Sequence, residues 1–95
     1  MARLKWWEKV LLKLYKNERE GVLDGELMAL CGNRENFYAF RKMMYQMGII
    51  REATQLKNGA VCYYFDWDIA RRHIATKHLF EEREGENEEG VEKND

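Results

Sequence analysis

The tetrapeptide Lys57-Asn58-Gly59-Ala60 constrains this chain more than any other feature. It lies between two runs, residues 49–54 and 60–66, that are rich in β-branched and aromatic side chains. An Asn-Gly pair in that setting predicts a two-residue type I′ hairpin turn, because both central positions need positive φ and Asn and Gly tolerate it. A two-residue turn fixes the register. Lys57 then faces Ala60, Leu56 faces Val61, Thr54 faces Tyr63, Glu52 faces Phe65 and Arg51 faces Asp66. The last pair is an opposite-charge match across the strands. This register assigns Ile50, Thr54, Leu56, Val61, Tyr63 and Phe65 to the core face, with Glu52 as a misfit among them. Cys62 and Tyr64 fall on the other face, together with Gln55 and Arg51 at the outer side of the hairpin.

Helical periodicity surrounds the hairpin. Over residues 4–16, Leu4, Trp7, Leu11 and Leu14 fall on one stripe, flanked by Val10 and Tyr15, while Lys5, Lys9, Lys13 and Lys16 line a different face. Trp6 and Trp7 are adjacent, so Trp7 is expected in the core and Trp6 near the surface. Val22 and Leu23 form a short apolar pair. Asp24 is the expected N-cap of a helix over 25–31, and Gly32 stops it. Asn33 is the expected cap of a helix over 34–47, with Gly48 at the glycine position that ends helices. Asp66 or Asp68 is expected to cap a last helix over 68–83. On that helix Ile69, His73, Thr76 and Phe80 form one stripe, and Trp67, Ala70 and Ile74 form a second. No proline interrupts any element.

The expected fold class is therefore mostly α with a small β-hairpin (α+β), in the order α-β-α-α-β-β-α, as one domain over 1–83. With 95 residues the chain is too short for a dinucleotide-binding domain, a barrel or a kinase. Residues 1–80 carry 14 Lys and Arg against 9 Asp and Glu, whereas residues 81–95 carry 2 against 8. The chain reads as a basic body with an acidic, disordered tail over 84–95, an asymmetry that favours a nucleic-acid partner. No run of about 18 apolar residues marks a membrane span, and the first residues lack the apolar core of a signal peptide. Two cysteines make no disulfide framework. A cytoplasmic protein with no membrane contact is expected.

The run from Val22 to Cys31, the Gly32-Asn33 turn, the segment from Arg34 to Met47 and the Asn58-Gly59 hairpin resemble the winged helix-turn-helix of small archaeal and other prokaryotic transcription regulators. The resemblance spans most of residues 4–80. It implies that the second helix of the helix-turn-helix enters the DNA major groove and that the hairpin, the wing, touches backbone or minor groove. It also implies that the helix after the wing pairs two copies.

The residues fit that role. On the helix over 34–47, Phe37, Phe40, Met44 and Met47 share one side, and Arg34, Tyr38, Arg41, Lys42 and Tyr45 share another with three cations and no acid. A helix fits the B-DNA major groove, where Arg bonds guanine edges and Lys, Arg and Tyr bond phosphate. Arg34, Tyr38 and Arg41 are expected nearest the bases, and Lys42 and Tyr45 nearest the backbone. Lys57 and Asn58 at the wing tip form a second expected contact, Asn58 chiefly for its turn geometry. The two stripes of the helix over 68–83 point to a homodimer that reads two half-sites on double-stranded DNA.

Other chemistries find little support. Cys31, Cys62, His73 and His78 lack zinc-binding spacing. There is no nucleophile elbow, P-loop or metalloprotease motif, so no enzyme, no cofactor and no small-molecule ligand are expected. The lysine row reads as a solvated face, a phosphate contact or a surface for an acidic partner, the chain's own tail included. The tail is expected either to solubilise or to cover the basic face in competition with DNA. A protein-interaction winged helix in transcription, replication or repair machinery is the rival reading. An RNA binder is a third, and it lacks an exposed sheet of stacking aromatics.

Overall fold

A computed structural model of the chain describes residues 3–81. Its elements are helix α1 (Trp6–Lys16), strand β1 (Gly21–Leu23), helices α2 (Asp24–Cys31) and α3 (Arg34–Met47), strands β2 (Ile50–Gln55) and β3 (Val61–Phe65), and helix α4 (Trp67–Arg72). Residues 77–81 are helical again, to the end of the described chain. The acidic tail expected over 84–95 lies outside the described residues. The class is α+β: helices around a three-stranded antiparallel sheet in the order β1-β3-β2.

α3 forms where the sequence places it. Asn33 accepts the Asn36 N–H on its side-chain oxygen at 2.8 Å, and Gly48 ends the helix at φ 81°. A left-handed residue there costs glycine little. α2 begins one residue earlier than expected. Leu23 is its N-cap, and Asp24 occupies the first turn, where its negative charge suits the helix N-terminus.

The hairpin register differs from the expected one. Ala53 pairs with Tyr63, Thr54 with Cys62 and Gln55 with Val61. The cause is the turn. Among the described residues only Glu18 has positive φ without being glycine, so Asn58 does not adopt the type I′ conformation. Instead the Gly59 N–H donates to the Leu56 carbonyl (3.0 Å), Gly59 takes φ 90°, and the Leu56 N–H donates to the Ala60 carbonyl (2.7 Å). This is a three-residue loop with glycine in the left-handed place, and it shifts pairing by one residue.

Glu52 pairs with Tyr64 in this shifted register, and a bulge between Ile50 and Glu52 then lets Ile50 pair with Phe65. Glu52 thereby leaves the core face, which removes the misfit. Thr54 leaves it too. The expected Arg51–Asp66 pair does not form: Arg51 lies 3.6 Å from Glu52, and Asp66 caps α4 through the Ile69 N–H.

The core lies between the helices and the inner face of the sheet. Leu11, Leu14, Val22, Leu27, Phe40, Met44 and Ile49 are fully enclosed, and Tyr63 and Phe65 close the sheet side. Met47 and Trp7 are half-buried against it. Trp67 stacks on Phe65 (ring centroids 5.3 Å apart, 14° between planes) and donates its indole N–H to the Arg19 carbonyl (2.8 Å).

The last helix, expected over 68–83, is broken within its described residues 68–81. His73 turns to extended backbone (φ −66°, ψ 136°), its Nδ1 accepts the Ala75 N–H at 3.0 Å, and the buried Thr76 hydroxyl donates to the Ala70 carbonyl. Side-chain bonds to the backbone compete with the helical ladder here and redirect the chain. The expected second stripe therefore dissolves. Trp67 and Ala70 join the core, and Ile74 alone remains exposed, at 81%. Over the described residues 68–81 the two stripes do not run continuously.

Candidate nucleic-acid interface

α2, the turn Gly32-Asn33 and α3 form a pair of consecutive helices. Gly32 takes φ 95°, and the Asn36 side-chain amide donates to the Cys31 carbonyl at 3.1 Å, which binds the end of α2 to the start of α3. One face of α3 is anchored by Phe37, Phe40 and Met44, all buried. The opposite face must then be presented outward, since the helix cannot rotate without exposing three large side chains.

That outward face holds Arg34, Tyr38, Lys42 and Tyr45, all exposed, with Tyr38 at 48% and Tyr45 at 46%. Exposed tyrosines of this size are costly to leave unpartnered and are well suited to contact, since each has an apolar ring and a polar tip. Glu35, exposed in the first turn, lies two helical turns before Lys42 on the same side of the helix. It is the acid that the expected all-basic face leaves out.

Arg41 is placed differently from its neighbours. It is half-buried. Its guanidinium donates to the Tyr63 hydroxyl at 3.0 Å and lies 5.2 Å from the ring centroids of both Phe37 and Tyr38. These contacts fix the cation between α3 and β3. Tyr45 also meets Tyr63 edge-on, with centroids 6.4 Å apart. Arg41 thus braces α3 on the sheet, and Arg34, Tyr38, Lys42 and Tyr45 are the side chains that project from the helix.

At the tip of the β2–β3 hairpin, Lys57 and Asn58 are exposed. The Asn58 side-chain oxygen accepts the Ala60 N–H at 3.0 Å, so it serves the turn. The register shift brings a residue to this side that sequence reasoning put elsewhere. Gln55 pairs with Val61 and shares the Tyr63 side of the hairpin, the side on which α3 packs. Its exposed amide offers two donors and an acceptor beside the helix. A turn one residue longer than Asn-Gly suggests was the only signal for it. All of β2 beyond Ile50 is exposed.

Several other titratable groups bond within the fold. Arg19 forms a two-point ion pair with Glu26 and also donates to the Gly21 carbonyl. The bond from Arg19 holds the Glu26 carboxyl below its usual range, and the same bond raises the Arg19 guanidinium. Burial pushes the Cys31 thiol up to about 11, which suppresses its thiolate. Hydrogen bonding to Cys62 raises the Tyr64 phenol. Both cysteines are free, and among the described residues no three His, Cys, Asp or Glu side chains gather as metal ligands. Among them, too, no helix is long and apolar enough to cross a membrane.

Comparison with protein-family models, curated proteins and solved structures finds no match for this chain.

Proposed function

We propose that this chain is a winged helix-turn-helix domain that binds double-stranded DNA in a sequence-specific way and regulates transcription. α3 enters the major groove, and the β2–β3 hairpin serves as the wing. The observation that supports it most is the α3 face. It is a capped 14-residue helix whose apolar side is locked into the core. Its free side combines Arg34 and Lys42 with two exposed tyrosines. Lys42 and Tyr45 contact phosphate, and Arg34 and Tyr38 meet base edges at the helix N-terminal half. Arg41 acts mainly by holding the helix on Tyr63. Gln55 and Lys57 extend the contact along the wing. Two free thiols, one of them buried, suit the reducing cytosol. One copy occupies one half-site, and a palindromic site carries two.

Selection of the full chain against a random duplex library at near-physiological salt tests this. The expected result is an enriched half-site or palindrome, with log K falling against log salt at about −0.9 per phosphate contact. Binding that shows no enrichment and vanishes as salt rises contradicts it.

Two observations favour the rival reading, a protein-interaction domain. The wing tip carries Lys57 as its only cation, and Glu35 dilutes the α3 charge. That reading requires a tight protein partner on the same tyrosine-rich face and no sequence preference on DNA.

A further inference from the structure

We propose that the lysine row of α1 is the docking surface for the chain's own acidic segment, residues 82–95. Lys5, Lys9, Lys13 and Lys16 are all exposed, and none forms an ion pair among the described residues. Within α1 and its N-cap they recur at steps of four, four and three residues. Like charges at that spacing repel along the helix surface. The one acid of α1, Glu8, does not relieve them. It is buried, with Oε1 accepting the Lys5 N–H at 2.7 Å and Oε2 3.2 Å from His78 Nε2.

The chain delivers the acidic segment to this place. Residues 77–81 pack along α1: His78 meets Glu8, and Phe80 meets Tyr15 edge-on with centroids 4.7 Å apart. Leu12, buried between those contacts, has Lys9 three residues before it and Lys16 four residues after it. The lysine row is therefore the next surface of α1 beside the strip that residues 77–81 cover. A groove of about 480 Å³ runs there, lined by Leu4, Lys9, Leu12, Lys13, Lys16 and Asn17.

Charge and reach agree. Residues 82–95 hold seven acids against two bases. Fourteen residues reach roughly 46 Å when extended, against roughly 17 Å for an 11-residue helix. Tethering gives the segment an effective concentration in the millimolar range, enough for a modest multi-charge contact to persist at low salt. On the other flank of the lysine row, away from the strip that residues 77–81 cover, Trp6 meets Phe40 of α3 (6.4 Å between centroids). A segment that neutralises α1 leaves the α3 face open.

The test is zero-length carbodiimide coupling of the full chain, prepared as an equal mixture of ¹⁴N and ¹⁵N protein and mapped by mass spectrometry. The expected amide links join Lys9, Lys13 or Lys16 to carboxylates of 82–95 within one isotopic chain. They should fall several-fold in 0.5 M salt, where screening acts within about 4 Å. Links that run chiefly to Lys42 or Lys57, or chiefly between isotopic chains, overturn the proposal. A second measurement reads the contact without chemistry. Glu→Gln substitution at 82, 84, 86, 88 and 89 in the full chain should shift the backbone amide resonances of Lys9 to Lys16 and leave those of Arg34 to Tyr45 in place. Unmoved α1 amides overturn it.

Discussion

α3 and the β2–β3 hairpin are neighbours built on opposite terms. α3 sinks Phe37, Phe40 and Met44 into the core and is closed by a side-chain cap at one end and a left-handed glycine at the other. β2 buries Ile50 and nothing after it, so its outer length is held by the backbone ladder to β3 and by the turn at Gly59. A helix fixed by packing keeps its exposed face in one orientation. A strand fixed by main-chain bonds alone tolerates change and adapts to what it touches. Under the proposed function the rigid helix would read and the compliant hairpin would grip.

The sharpest way to break this contrast is stability. Phe40→Ala is expected to cost about 3–5 kcal/mol, as large-to-small changes in enclosed sites do. Thr54→Ala on the exposed strand should stay within about 0.5 kcal/mol. Urea denaturation measures both, and similar costs would erase the distinction. Binding comes next. The double substitution Tyr38→Ala/Lys42→Ala should weaken duplex affinity by about tenfold or more and reduce the salt slope by about 1, whereas Lys57→Ala should weaken it only a few-fold. Anisotropy titrations at three salt concentrations separate them, and an equal loss from Lys57→Ala would make the wing the principal contact.

Arg41→Ala tests whether that cation braces or reads. Loss of its bond to Tyr63 and of its ring contacts should cost roughly 1–2 kcal/mol of stability. A full loss of sequence preference with unchanged stability would return Arg41 to the base-reading set. Gly59→Ala strains a residue at φ 90° and should cost about 1 kcal/mol while leaving α3 intact by backbone amide shifts.

The smallest effect is pH dependence. Glu26 is held below its ordinary range by Arg19, so the folded state favours the carboxylate. Its contribution is present above the unfolded value near 4.3 and is lost as pH falls through the lower folded value. The pair is more than one-third exposed, so screening makes the loss small. Acid titration of Glu26→Gln should show a slightly flatter stability profile below pH 4. An unchanged profile would mean that the pair contributes nothing.

Most of the helical framework was legible in the chain. α3 carries its own punctuation, Asn33 before and Gly48 after, and its apolar spacing separates the core side from the free side. The hairpin's existence was legible too, but its register was not. Asn-Gly permits two turns that differ by one residue, and only the φ of Asn58 distinguishes them. That single residue moves Gln55 to the α3 side and Glu52 away from the core. The break at His73 was hidden for a related reason. Periodicity continues through His73 and Thr76, yet their side chains bond to the backbone at Ala75 and Ala70. Arg41 looked like a free cation because nothing in the pattern of α3 reveals that the Tyr63 hydroxyl lies within reach. At the hairpin the missing information was a backbone conformation, and at His73 and Arg41 it was a side-chain bond that apolar periodicity does not record.

The most direct test of α3 as the reading element is amide chemical-shift mapping of the full chain with a random-sequence duplex at low salt. The expected result is shifts concentrated at Arg34, Tyr38, Lys42 and Tyr45, with smaller ones at Gln55 and Lys57. Shifts confined to α1 or to the outer sheet face at Cys62 and Tyr64, with α3 silent, would contradict it.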